Sequence, residues 1–325
     1  MDSLIIIYSF AEIFLSVYIS LNNLLVLWVY IRSQDVRTIT NTYIFSLSLT
    51  DFLSGAIGIP LTVYSVLTRA PRSYFPCLAI HLILCVLCTI STFHMLAIAI
   101  DKYIIICCKY KLLKNRSGRL TRTVILLSTV WVFGLLVAIL PIFWFIDFDE
   151  RQKKFHGECQ FLEVLDYSYL VYVIFFGTII IPTIIITYCY LSIYSKIREE
   201  ESNIAHFLNG RERQRRVRGR RKLITILLII VLAYLICWYP LYLINTVEFF
   251  FHEYRSATWL TLSAVVLSHV SCGINPLIYA YGMPGFKEAL RNYFKTAMLK
   301  AEQMSHILRN SKETVLVKIE KIRER

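Results

Sequence analysis

Charge is scarce in this chain: only 18% of its 325 residues are charged, against 57% hydrophobic. A water-soluble protein of that length would expose far more charge, and the mean hydropathy of +0.57 points the same way. No paired set of Cys and His ligands is present, which argues against a metal centre. No nucleophile–base constellation supports an enzyme, and no repeat of 20–50 residues supports a solenoid. Basic residues exceed acidic ones by 13, yet their distribution follows the membrane rather than a nucleic-acid surface.

What the chain has instead is long apolar runs. A bilayer crossing needs about 20 such residues, and seven stretches qualify: roughly 4–31, 43–67, 75–106, 123–146, 167–195, 222–250 and 257–281. The first lacks a basic start and holds Glu12, Asn22 and Asn23, so a retained span is expected rather than a cleaved leader. Basic residues crowd the second connection (Lys109, Lys111, Lys114, Arg116, Arg119, Arg122), the fifth (Asn209 to Lys222) and the tail. Lys/Arg excess marks the cytoplasmic side, so the N-terminus is expected outside and the C-terminus inside. The Arg-rich fifth connection is therefore a membrane-topology signal rather than a nuclear or RNA-binding one. By the same topology the NRS triplet at Asn115 is cytoplasmic, and glycosylation there is not expected.

The expected class is all-α: a seven-span bundle over 1–283, an amphipathic membrane-surface helix over 284–299 and a cytoplasmic tail over 300–325. In the surface helix Phe286, Leu290, Tyr293 and Phe294 alternate with Lys287, Arg291 and Lys295 at helical spacing, which suits the inner leaflet. Among nine cysteines, only Cys77 and Cys159 reach the oxidising side, so compartment logic expects one disulfide between them.

Polar residues inside hydrocarbon are costly and become functional candidates. Asp51 is the sharpest: a lone mid-bilayer carboxylate needs a cation, a partner or a proton. Ser91, Ser271 and Asn275 are candidate co-ligands for a sodium ion, and Asn23 can face the same axis; helix glue is the alternative for the asparagines. Glu12 and His269 lie at similar depth in the outer half, where a charge-assisted hydrogen bond would satisfy both. Pro60, Pro141, Pro182, Pro240 and Pro276 supply bends. In CWYPLYLIN, Asn245 lies seven residues beyond Trp238, two turns outward on one face.

Asn23, LSLTD at Leu47–Asp51, DKY at Asp101–Tyr103, Trp131, Pro182 with Tyr190, CWYP at Cys237–Pro240 and NPLIYAY at Asn275–Tyr281 resemble the rhodopsin-like G-protein-coupled receptors across nearly the whole chain. Within that family the closest likeness is to the adenosine receptors, carried by MLAIAIDKY, Phe161 two residues after Cys159, CWYPLYLIN and VVLSHVSCGINPLIYAY. The resemblance implies a plasma-membrane receptor for extracellular adenosine or a related purine, partnered by a heterotrimeric G protein and changing cyclic AMP. It implies that Asn245 grips the adenine edge, Phe161 stacks on the ring, and Ser268 and His269 contact the ribose. Leu84, Cys85, Cys88, Trp238, Leu241, Tyr242 and Glu12 complete the implied pocket. The inner switch is implied at Asp101, Lys102, Tyr103, Tyr190 and Tyr279. No cofactor is expected beyond a sodium ion, and no nucleic-acid partner.

Several positions depart from the family pattern. Leu162 stands where a loop carboxylate is usual, with Glu163 one place on; Cys88 replaces a Thr, Ile174 a small polar residue, and Tyr242 a His. The adenine-gripping half is better kept than the ribose half, so a related purine remains an alternative. Leu84 replaces the Asp of amine receptors, and His269 stands at the Schiff-base lysine position of opsins. Lys102 replaces the usual Arg, keeping the charge but losing the planar fork. Altered coupling or basal activity is expected from it, with simple service as a cation the competing reading. A class A receptor for another small molecule, a weakly signalling or non-signalling purine binder, and a transporter are the remaining alternatives; the last lacks an inverted repeat and a second line of charge.

Overall fold

The computed structural model describes residues 3–34, 36–108, 116–139, 142–145, 147–204, 211–251, 253–282, 285–296, 298–299 and 302–305. Among them there is no strand, and seven helices are long and apolar enough to cross a membrane. Span one is Ser3–Arg32, span two Ile39–Thr68 and span three Tyr74–Cys107. Span four is the helix Arg116–Ile139, and span five joins Tyr169–Ile180 to Ile181–Ile204. Spans six and seven lie in Arg211–Phe250 and Thr258–Gly282. Short helices Ile142–Phe145, Phe148–Lys154 and Phe161–Val164 lie between spans four and five.

Span four sits earlier in the chain than hydropathy alone places it. It takes in Arg122, whose long side chain is buried along the helix end while its charge is paired with Asp101. Two of the five proline bends take one specific form. Span two turns π-helical over Ser54–Gly58, where the Ile59 N–H donates to the Ser54 carbonyl five residues back, immediately before Pro60. Span five does the same over Tyr169–Ile180, the Ile181 N–H donating to the Phe176 carbonyl just before Pro182. A proline ring pushes away the carbonyl four residues back, and one widened turn absorbs the misfit without leaving polar groups bare in hydrocarbon. Pro240 and Pro276 are accommodated inside continuous helices; Pro141 lies outside the described residues.

Small residues bring helices close, as membrane packing favours. A Cβ on Gly55 would lie 2.7 Å from the Ile19 side chain, and one on Gly273 2.9 Å from Tyr18. Span one is thereby pressed against spans two and seven. Ser16 donates its hydroxyl hydrogen to the Gly55 carbonyl at 2.7 Å, and the Asn23 amide donates to the Ile19 and Cys272 carbonyls at 3.0 Å each.

Spans two, three and four share a buried relay. His94, fully buried, presents Nδ1 to the Ile90 carbonyl at 2.9 Å, so that nitrogen carries the proton. Its Nε2 then accepts from the Ser46 hydroxyl at 2.7 Å, and Ser46 accepts from the Trp131 indole at 3.0 Å. The ring nitrogens of His94, the Ser46 hydroxyl and the Trp131 indole N–H are all satisfied within this relay, which is what a low-dielectric interior demands. The helix over 285–296 seats on span one through Tyr293, whose ring centroid lies 4.7 Å from that of Trp28. Phe286 is buried, while Lys287, Arg291 and Lys295 are exposed. The expected tail, 300–325, lies outside the described residues apart from 302–305.

Candidate functional site

One end of the bundle is tied by the Cys77–Cys159 disulfide, with Cα atoms 5.5 Å apart. The pairing joins the start of span three to the connection before span five, and the Cys159 N–H donates to the Arg69 carbonyl at 2.9 Å. Phe161, opening the next short helix, is thereby held over the bundle, its ring 5.3 Å from His81 and perpendicular to it. Farther round, Glu248 accepts from the Tyr167 hydroxyl at 2.7 Å and the Ser256 N–H at 2.9 Å, clasping spans five, six and seven. Cys85 and Cys88, spaced CxxC on span three, are free thiols, half-buried and buried respectively.

Below this mouth an aromatic column descends span six. Tyr234, Trp238 and Tyr242 follow one another, with Tyr242 stacked on Trp238 at 5.7 Å and stacked nearly parallel to Phe175 at 5.7 Å. Spacing of four residues puts the three rings on one helix face, and the flanking Pro240 frees the local ladder to bend. Trp238 donates its indole N–H to Ser271 at 2.9 Å. Tyr234 and Thr92 hydrogen-bond across spans six and three. One turn past Tyr242, Asn245 is half-buried, and its amide has no hydrogen-bond partner among the described residues. Leu84 and Leu241 are also half-buried.

The residues expected at the ribose end divide. His269 Nδ1 lies 2.9 and 3.0 Å from the two oxygens of Glu12, and both side chains are sealed from solvent. Ser268, by contrast, donates its hydroxyl to the Val265 carbonyl of its own helix at 2.6 Å and is fully buried. The reason is local: a serine in a helix readily bonds back to the preceding turn.

At mid-bundle Asp51 is fully buried and accepts from Ser91 at 3.1 Å and from the Asn275 amide at 2.8 Å. Ser271 does not join it. Its hydroxyl donates to the Ser268 carbonyl at 2.7 Å and accepts from Trp238, so it belongs to the aromatic column. Asn23 keeps one buried amide oxygen with no hydrogen-bond partner.

At the opposite end Asp101 is fully buried between two cations. Lys102 Nζ lies 3.1 Å from one carboxylate oxygen, and Arg122 from span four reaches the other at 2.8 Å. Lys102 also donates to Thr40 of span two at 2.7 Å. Tyr103 packs near Tyr188, with centroids 6.0 Å apart, and Tyr190 is buried apart from this cluster. The Tyr279 side chain lies outside the described residues. The sequence pattern counted Arg122 only as one more charge in a basic connection; no local signal shows that a residue 21 positions from Asp101 shares its carboxylate. Thr40 and His81 were missed for the same reason.

Seven membrane-crossing helices, a disulfide capping the mouth of a bundle, a buried aromatic column beneath it and a buried ionic cluster at the far end define a helical-bundle membrane receptor. The family model of the 7 transmembrane receptors (rhodopsin family) matches residues 22–279, and the chain belongs to that family of G-protein-coupled receptors. It is a receptor and not an enzyme. It is similar to the human (Homo sapiens) adenosine receptor A2a, 28% identical over 308 residues, covering 91% of this chain and 74% of the relative. It is similar to the dog (Canis lupus familiaris) adenosine receptor A3, 28% identical over 295 residues, covering 90% and 92%. The chicken (Gallus gallus) adenosine receptor A2b is 26% identical over 313 residues, covering 91% and 90%.

Proposed function

We propose that this receptor binds extracellular adenosine or a closely related purine at its disulfide-capped end and signals through a heterotrimeric G protein to change cyclic AMP. The observation that carries the reading is the free amide of Asn245, half-buried one turn past the aromatic column. An amide presents a donor and an acceptor side by side, matching the exocyclic amine and N7 of adenine. Phe161 supplies an aromatic face on which a purine stacks, and stacking contributes about 1–3 kcal/mol per base in nucleic-acid sites. Adenosine receptors among the relatives support the same ligand class. The disulfide end then faces outside, and the basic connections face the cytoplasm of a plasma-membrane receptor. An adenosine titration of transfected cells, reading cyclic AMP with forskolin present, tests it. A saturable rise or fall supports the reading; silence from receptor present at the cell surface sinks it.

Asp51, with Ser91 and Asn275, is proposed to hold a sodium ion. The donors are hard oxygens, and a sealed carboxylate with only neutral partners needs a cation to offset its charge. Binding to the folded state stabilises it, by about 1.4 kcal/mol at ten times the dissociation constant. Exchanging choline for sodium at fixed ionic strength is expected to raise the unfolding temperature of the receptor but not of Asp51→Asn. An equal rise in both would remove the site.

Lys102 favours a second reading, weak signalling. It is buried, and its ammonium is spent on Asp101 and Thr40. An arginine there keeps the charge and adds a planar fork that can hold Asp101 while presenting further donors. Lys102→Arg is expected to raise the maximal cyclic AMP response severalfold at equal surface expression. An unchanged maximum would show that lysine serves as well.

A further inference from the structure

His81 sits on span three beneath the disulfide, 3% exposed, and no role assigned above uses it. Its Nε2 lies 3.4 Å from the Ser65 hydroxyl oxygen and 3.7 Å from Cys159 Sγ. Ser65 has already given its only hydrogen to the Thr62 carbonyl at 2.8 Å, and Cys159, being in the disulfide, has none to give. Both neighbours of Nε2 therefore accept, and Nε2 carries the proton. Nδ1 is left as a bare lone pair, buried and without a hydrogen-bond partner among the described residues. A buried acceptor without a donor is costly, and each such group in a folded protein calls for an explanation, a functional role among them. Here the acceptor belongs to a ring in perpendicular contact with Phe161, the aromatic placed over the mouth.

We infer that His81 is a specificity residue, whose Nδ1 accepts a hydrogen bond from the exocyclic amine of a purine stacked on Phe161. The inference rests on the purine reading above and deepens it. An adenine amine has two hydrogens, one for the Asn245 carbonyl oxygen and one for His81. A 6-oxo purine turns an acceptor toward an acceptor, and a purine with hydrogen at carbon 6 leaves the lone pair bare. The pocket thus selects amino-purines over oxo-purines through a residue outside the aromatic column.

The test is equilibrium binding of tritiated adenosine to the full-length receptor in membranes, with unlabelled adenosine, purine riboside and inosine as competitors. In His81→Phe, which keeps a ring against Phe161, the inhibition constant of adenosine is expected to rise about tenfold, and that of purine riboside to stay within about twofold. The ligand-free unfolding temperature is expected to hold or rise, because the variant removes an unpaired polar atom. Equal losses for both nucleosides, with a lower unfolding temperature, would make His81 a packing residue and overturn the inference. Saturable binding that needs Asn245 but ignores His81 would overturn the inference alone. Absence of saturable nucleoside binding to the folded wild-type receptor would overturn the purine reading and this inference with it.

Discussion

Glu12→Ala is expected to lower the unfolding free energy by about 3–5 kcal/mol, because it strands one member of a buried charge-capable pair. Glu12 is fully buried and His269 nearly so, with both carboxylate oxygens at hydrogen-bond distance from one imidazole nitrogen. Neither side chain has water to fall back on. Span one otherwise meets span seven mainly through apolar contact and the Asn23 amide, so the pair fixes the rotation of the first helix. Removing His269 alone, as His269→Leu, is expected to cost a similar amount, since it strands the carboxylate instead. Replacing both by leucine is expected to recover most of the loss, because well-packed apolar pairs often match buried ionic ones. Thermal unfolding of the four proteins in one detergent checks this. A double variant as unstable as the two losses added would show that the residues act independently, and the pairing argument would fall.

Asn245→Ala carries the other large effect. Its amide is half-buried and unspent on the protein, so truncation leaves no protein group stranded and the fold should be unaffected. The purine, however, loses a paired donor and acceptor, worth about 1–3 kcal/mol in comparable amide–adenine contacts. The adenosine concentration for half-maximal cyclic AMP response is therefore expected to rise about tenfold to a hundredfold. Surface expression and unfolding temperature should stay at wild-type values. A lowered unfolding temperature with the same shift in response would reassign Asn245 to packing.

Much of this architecture was legible from the chain because the bilayer is an unforgiving solvent. Each crossing must supply about 20 apolar residues, so seven runs announce seven helices. Compartment left only Cys77 and Cys159 free to pair, and equal depth brought Glu12 opposite His269. What stayed hidden depends on contacts between helices or on the exact path of the backbone. Whether a proline kinks a helix or widens one turn before it depends on what packs there, and Pro60 and Pro182 took the second course. Ser271 could face Asp51 by spacing, but its hydroxyl is drawn to its own helix and to Trp238. Ser268 likewise bonds back to Val265. Arg122 reads as a solvated terminal charge until span four is laid against span three and Asp101 claims it. His81 carries no pattern at all; only the positions of Ser65 and the disulfide assign its proton.

The most direct test of the central claim is binding of tritiated adenosine to purified wild-type receptor whose fold is verified by cooperative thermal unfolding. The account predicts saturable binding to one site, displaced by unlabelled adenosine and weakened at least about tenfold in Asn245→Ala. A folded receptor with no saturable adenosine binding, or with binding that ignores Asn245, would contradict it.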